Sequence, residues 1–147
     1  MTHYEVWVRA HADRGGPCAV GVLVTEGNNS KELRALLLET KSVHDASLRG
    51  IMLALSSLER PDATVTIYAN TEAIAGVCSG SFAASSGVVA VDAIRSELAR
   101  RGNTTIEHMP NAAQHPCMER AFESARRANV ARGKPPPGDW LSRATRR

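Results

Sequence analysis

One change of hydrophobic period constrains this chain more than any other feature. From Tyr4 to Thr40 the patterning is that of strands, whereas beyond Asp45 apolar residues recur every three to four positions. The first pattern suits strands with one face buried; the second suits helices lying on a core. A chain that opens with strands back to back and then mixes helix with strand folds as a mixed sheet with helices packed on it.

Tyr4 to His11 alternates Tyr4, Val6, Val8 and Ala10 with Glu5, Trp7, Arg9 and His11, which predicts a first strand. Asp13 to Pro17 reads as a loop, and the Val- and Leu-rich stretch from Cys18 to Thr25 as a second strand. Gly27-Asn28-Asn29 offers the positive φ values of a tight hairpin turn. Leu33 to Thr40 is predicted as a third strand, although its Glu-Leu-Arg-Ala-Leu-Leu-Leu run also favours helix. Asp45 is expected to cap a helix carrying Leu48, Ile51, Met52, Leu55 and Leu58, ended by Arg60-Pro61-Asp62. Gly50 and Ala54 lie four apart on it, so a neighbour is expected to pack close there. Thr64 to Tyr68 is a fourth strand and Thr71 to Val77 a short helix. Val91, Ile94 and Leu98 mark a further helix stopped by Gly102, and Thr104 to His108 a fifth strand. Met118, Ala121, Phe122, Ala125 and Ala128 mark the last helix.

The chain has 147 residues, enough for one domain with its own core, which we expect over residues 1–131. Aromatic residues are only 4%, so that core is expected to be aliphatic. Gly133-Lys134-Pro135-Pro136-Pro137-Gly138 suits neither helix nor sheet, and residues 132–147 read as a proline-containing basic tail. From Arg126 onward seven cationic residues face Asp139 alone, so residues 126–147 carry +6 and the preceding 125 carry −3. Such a tail suits contact with phosphate, or simple solvation. Trp140-Leu141 within it looks like a short docking segment, for this chain or for another subunit. No apolar run approaches the length of a membrane span and no signal-peptide stretch is visible, so a cytoplasmic location without membrane contact is expected. Cys18, Cys78 and Cys117 are odd in number and unpaired in spacing, which suits free thiols better than a disulfide framework or a metal motif.

The order β-β-β-α-β-α-α-β-α resembles the type 1 ribonuclease H fold, an α/β fold with a five-stranded mixed sheet and helices on both faces. Four local stretches carry the resemblance. Gly15 to Gly21 is similar to the glycine- and proline-rich first hairpin, and Ala46 to Leu58, with its Ala54-Leu55 pair, to the first helix. Val65 to Glu72 resembles the strand that leads into the family's Ser/Thr-Asp-Ser motif. His115-Pro116-Cys117-Met118-Glu119-Arg120 resembles the His-Pro-X-Asn-Glu-Arg stretch before the last helix. Together they span about residues 4 to 130.

The resemblance implies an enzyme that hydrolyses the RNA strand of RNA/DNA hybrids with two Mg²⁺ or Mn²⁺ ions held by four carboxylates. This chain departs from that pattern at all four. The first-strand Asp falls at Arg9, or at Ala10 with a shifted gap; the helix Glu at Ser47; the Asp after the fourth strand at Asn70; the last-helix Asp at Phe122. The family's paired Asn residues that face the hybrid fall at Val43 and His44. One cation and three neutral groups cannot hold two divalent ions, so no catalytic residues and no cofactor are expected. If activity survives, Asp13 and Glu72 are the substitutes to test, with Mg²⁺ or Mn²⁺ as cofactor.

Arg9 is the informative residue. A guanidinium where a metal is expected either binds phosphate directly or pairs with Asp13 or Glu72 to neutralise a former site. Phe122 is expected to fill the cleft, and His108 and His115 to lie at the surface. Three functions follow: a domain that binds hybrid or duplex nucleic acid without cleaving it, through Arg9, Asn70, His115, Arg126 and Arg127; a protein-interaction or scaffold domain that uses the tail; or a divergent metal-dependent nuclease.

Overall fold

The computed structural model describes residues 2–13, 17–40, 42–58, 60, 62–84 and 87–131. Five strands form one sheet in the order β3-β2-β1-β4-β5. They are β1 (His3–Ala12), β2 (Cys18–Glu26), β3 (Asn29–Leu37), β4 (Thr64–Ala69) and β5 (Thr104–His108). Pairings β1–β2 and β2–β3 are antiparallel, and β1–β4 and β4–β5 are parallel. The helices are α1 (Val43–Ser57), α2 (Glu72–Ser79), α3 (Val88–Arg101) and α4 (Pro116–Ala131). The predicted mixed sheet is thus present. The basic tail, with Trp140-Leu141, lies outside the described residues.

The sheet separates two unlike layers. On one face Val6 and Val8 of β1, Val20, Val22 and Val24 of β2 and Val65 and Ile67 of β4 meet Leu48, Ile51 and Leu55 of α1 and Val91 and Ile94 of α3. On the other, α4 alone covers β1 to β3, bringing Met118 and Ala121 against Trp7 and Leu23. Strand β2 is covered on both sides, which explains why Cys18 to Val24 is an unbroken buried run rather than an alternating one.

Two glycines set how closely the helices approach. A Cβ on Gly50 of α1 would meet methyl groups of Val20 and of Val8, as the Gly50–Ala54 spacing suggests. On the opposite face a Cβ on Gly21 would strike the backbone carbonyl oxygen of Ala121, with the Ala125 nitrogen at 2.7 Å. Helix α4 therefore rests directly on β2 at Gly21, whose pairing partner across the hairpin is Arg9.

Some boundaries differ from the sequence reading. Asp45 is not the cap of α1: Ser42 is, its side chain accepting from the Asp45 backbone N–H, with Asp45 in the first turn. The Ser-X-X-Asp spacing carries both residues, and Ser wins the cap because its backbone is extended, with ψ 126°. Strand β3 starts at Asn29, not Leu33, because Glu26 pairs with Asn29 and leaves a two-residue turn. Within that turn only Gly27 takes positive φ. The strand stops at Leu37, before Thr40, whose carbonyl accepts from the Cys18 N–H at 2.8 Å. Helix α1 ends at Ser57, ahead of the predicted Arg60-Pro61 stop.

Candidate functional site

Side chains of alternate β1 residues leave the sheet on the α4 side: Trp7, Arg9 and His11. Each meets a different part of α4 or its approach. Trp7 is buried, stacked between Tyr68 and His115 at ring distances of 5.5 and 5.8 Å. The Tyr68 hydroxyl donates to Glu5; burial first, and then that carboxylate, raise its pKa. His115 is half-buried rather than a surface histidine. Its Nδ1 accepts the Cys117 N–H and its carbonyl accepts the Glu119 N–H, so it caps α4 while its ring lies on Trp7.

Arg9 lies two residues further along. Its guanidinium carbon sits 4.7 Å from the centre of the Phe122 ring. Nε and Nη1 are buried and have no hydrogen-bond partner among the described residues. Arg9 as a whole is half-buried, so its remaining nitrogen is the one that reaches solvent. Burial lowers the guanidinium pKa, and the charge of Glu119 partly restores it. An arginine remains charged at physiological pH despite such a shift. The expected pairing with Asp13 or Glu72 is not what holds Arg9: Phe122 lies over it, and the nearby carboxylate is Glu119.

His11 closes the same cleft. Its ring meets Phe122 at 5.5 Å between centroids, steeply inclined. Asn129, fully buried, donates to the His11 carbonyl at 2.9 Å and lies 2.8 Å from its Nδ1. Because the carbonyl can only accept, the amide nitrogen must point that way, and Nδ1 is then an acceptor. Asp13 stands 3.9 Å from the same nitrogen. The Asn129 Oδ1 and the hydroxyl of buried Ser124 have no partner among the described residues.

The remaining candidates divide around this cleft. Ala69 pairs with Val8, so half-buried Asn70, one residue beyond it, stands level with Arg9 at the end of β4. Glu72 is exposed in the first turn of α2, capped by Thr71. Ser47 belongs to α1 on the opposite face; it is buried, and its hydroxyl donates to the Val43 carbonyl at 2.9 Å. Ala10, the alternative to Arg9, also faces α1 and packs with Ala46. Exposed Arg126 is held by Glu123 at 2.9 Å, and Arg127 is exposed on the same helix. Arg9 and Phe122 thus come together, with Asn70 beside them, while Ser47 sits across the sheet.

His11 and Asn129 were not among the sequence candidates, yet both carried a signal. His11 follows Arg9 by two on a strand, and Asn129 follows Phe122 by seven on a helix, so each shares a face with a residue already singled out.

No protein-family model matches the chain, and no curated protein matches it. Solved structures do. LC11-RNase H1 in complex with RNA/DNA hybrid is 22% identical and superposes with a TM-score of 0.67, over 86% of this chain and 99% of that one. RNase H1 from the halophilic archaeon Halobacterium salinarum gives 0.71 at 17% identity, over 87% and 98%. The fold is ribonuclease H-like. The N-terminal RNase H domain of a Mycobacterium tuberculosis protein adds a TM-score of 0.66 at 17% identity, over 88% and 99%. In this ribonuclease H-like fold Arg9 lies just past the end of β4, where β1 runs on beside β2 alone. No three His, Cys, Asp or Glu residues among those described stand close enough to share a metal ion. No described helix is long and apolar enough to cross a membrane.

Proposed function

We propose that this chain is a ribonuclease H-like domain that binds nucleic acid, hybrid or duplex, without cleaving it. The observation that carries this reading is the state of Arg9. A half-buried guanidinium with two buried donors unpartnered is costly, because desolvation of a charge is offset only by partners. A phosphate oxygen on its accessible nitrogen supplies one charge-assisted bond. The neighbours of this fold include an RNase H1 solved with RNA/DNA hybrid, which makes a nucleic-acid backbone the natural source of that phosphate.

The donor set argues against metal-dependent hydrolysis. Mg²⁺ requires hard oxygen ligands, chiefly carboxylates. Around Arg9 the chain offers a guanidinium, the Phe122 ring, the Asn70 amide, a histidine held by Asn129 and two separate carboxylates, Glu119 towards Arg9 and Asp13 beside His11, and the orphaned donors of Arg9 already place positive charge there. These residues do not fit two divalent ions. The chain's own residues then have simple tasks. Arg9 contacts phosphate, Phe122 holds its guanidinium, and Asn129 fixes His11 against the same ring. Asn70, level with Arg9 at the end of β4, extends the polar surface.

The test is a single assay on the full chain with labelled RNA/DNA hybrid, with and without Mn²⁺, scoring binding and cleavage together. Salt-sensitive binding without cleavage is expected, and Arg9→Met should weaken it about tenfold and lower the salt slope by about one. Absence of binding at low salt overturns the reading. Mn²⁺-dependent cleavage abolished by Asp13→Asn or Glu72→Gln would instead establish the divergent nuclease.

A further inference from the structure

The sheet ends at β3, and no strand among the described residues pairs with its outer side. Strand β3 is nine residues long, and its register with β2 runs from Asn29 to Leu37 without a bulge. Proline, bulges and shortness are common guards of such an edge, and β3 has none of them. The opposite edge, β5, has only five residues. A long edge with free N–H and C=O groups is a template for one more strand.

The hairpin decides which backbone groups of β3 are free. Glu26 and Asn29 flank a two-residue turn, so that pair exchanges both of its hydrogen bonds. Alternation then commits the odd-numbered residues of β3 to β2. The N–H and C=O of Ser30, Glu32, Arg34 and Leu36 turn outward, and no described backbone group takes them. The side chains divide as well. Glu32 and Arg34 leave on the α4 side: Glu32 lies 3.7 Å from Arg120, and Arg34 pairs with Gly21 beneath α4. Leu33 leaves on the other side and packs against the aliphatic core. Arg34 is exposed and has no ion pair among the described residues.

We propose that this edge pairs antiparallel with the same edge of a second copy, about a two-fold axis through Leu33. Outward-turned residues must meet outward-turned residues, and this axis brings Glu32 opposite Arg34 and Ser30 opposite Leu36, each twice by symmetry. Charges on an edge usually discourage pairing. Here they are self-complementary, because both Glu32–Arg34 pairs join opposite signs directly across the strands. Moving the axis by one residue sets Glu32 or Arg34 against its own copy, so charge selects the register. At the axis Leu33 meets Leu33 in a non-hydrogen-bonded pair, where side chains approach most closely. The helices leave room for this. Helix α4 rests on β2, three strand spacings from β2 of the second copy, or about 14 Å. Packed helices need only about 8–10 Å, and the long side chains of Glu32, Arg34 and Arg120 lie in the space between.

The test is sedimentation equilibrium of the full chain. Two nine-residue strands make a small interface, so a dimer with a dissociation constant of roughly 10–100 µM is expected. Arg34→Glu and Glu32→Arg, both at exposed positions, each set like charges opposite and should weaken it at least tenfold. Mixing the two variants restores opposite signs and should recover a dimer. Mild oxidation reads the register: Leu33→Cys should give a cross-linked dimer, because Cα atoms about 4.5 Å apart suit a disulfide. Lys31→Cys should not, and the parent, with Cys18 and Cys78 buried and Cys117 half-buried, is the control. A chain that stays monomeric up to ~1 mM overturns the proposal. So does a dimer that ignores both charge variants, or one that cross-links through position 31 rather than 33. A dimer broken by Val89→Lys, on the far side of the sheet, and not by the β3 variants overturns it as well.

Discussion

The two faces of the sheet are built on opposite principles. The α1–α3 face is aliphatic: valines from three strands meet leucine and isoleucine from two helices. The α4 face holds Trp7, Arg9, His11, Phe122, Ser124 and Asn129 beneath a single helix. Of the eight buried side-chain nitrogen and oxygen atoms without a hydrogen-bond partner among the described residues, five belong to this face: Trp7 Nε1, Arg9 Nε and Nη1, Ser124 Oγ and Asn129 Oδ1. Each such atom costs free energy that apolar side chains would not. One face therefore supplies stability, while the other retains polar groups that contribute little to it. Groups of the second kind gather where function has priority over packing.

The two glycines test this contrast most severely. Gly21→Ala places a methyl group against backbone of α4, which cannot move without lifting the whole helix. We expect a loss of more than ~3 kcal/mol, or failure to fold. Gly50→Ala meets only side-chain methyls of Val8 and Val20 and gains roughly 1 kcal/mol of helix propensity, so the net loss should be about 1–2 kcal/mol. Urea denaturation of both variants measures the difference. Equal losses would mean that α4 is not seated as firmly as its backbone contact with β2 requires.

Truncation and charge removal separate the faces next. Leu48→Ala, within the aliphatic core, should cost about 2–5 kcal/mol. Arg9→Met keeps an unbranched apolar stem and removes the unpartnered charge together with its contact on the Phe122 ring, so stability should stay within about 1 kcal/mol of the parent or rise. A thermal shift downward as large as that of Leu48→Ala would show that Arg9 is a structural residue, and would remove the basis for assigning it to phosphate.

The same contrast decides what the sequence made legible. Strand β1 was readable because its alternation is strict, and β5 because both its ends are marked by turn residues. The α1–α3 face followed from periodicity alone, since aliphatic packing is what periodicity encodes. Strand β3 was placed four residues late because its own residues are exposed and suit helix as well as strand; only the pairing of Glu26 with Asn29 fixes its start. The cap of α1 was misassigned because Ser42 and Asp45 are both capping residues and backbone angles decide between them. At the cleft, Arg9 and Phe122 were singled out by the family resemblance, and the structure brings them into contact. The bond between Asn129 and His11 joins residues 118 positions apart, a separation that no local pattern reports. Ser47 shows the converse, because a matched position in sequence lies on the far face of the sheet.

The cap on α1 offers a smaller test on the stable side. Ser42→Ala removes the acceptor for the Asp45 N–H and should cost about 1 kcal/mol, whereas Ser42→Asn should be nearly neutral. Equal losses from both would mean that the hydroxyl bond is not what holds the helix start.

The smallest effect concerns acid. At the end of α3, Arg100 donates two hydrogen bonds to Glu97 and Arg101 a third, at 2.8, 2.7 and 3.2 Å. The Arg100 bonds chiefly hold the Glu97 carboxyl below its usual pKa, with Arg101 adding to the effect. A carboxyl depressed in the folded state contributes stability that is complete above its unfolded pKa, near 4.3, and is lost as pH falls through the lower folded value. Glu97→Gln should therefore lower stability slightly at pH 7 and flatten the decline below pH ~4. The side chain is one-third exposed and its ion pairs are solvent-screened, so the effect at neutral pH should be no more than a few tenths of a kcal/mol. The cleft provides the control. Arg9 keeps its charge across this whole range, so Arg9→Met should leave the shape of the acid limb unchanged while altering nucleic-acid binding. An acid limb reshaped by Arg9→Met as much as by Glu97→Gln would mean that Glu119 is tied to Arg9 as closely as Glu97 is to its arginines, and that the cleft is an ion pair awaiting no phosphate.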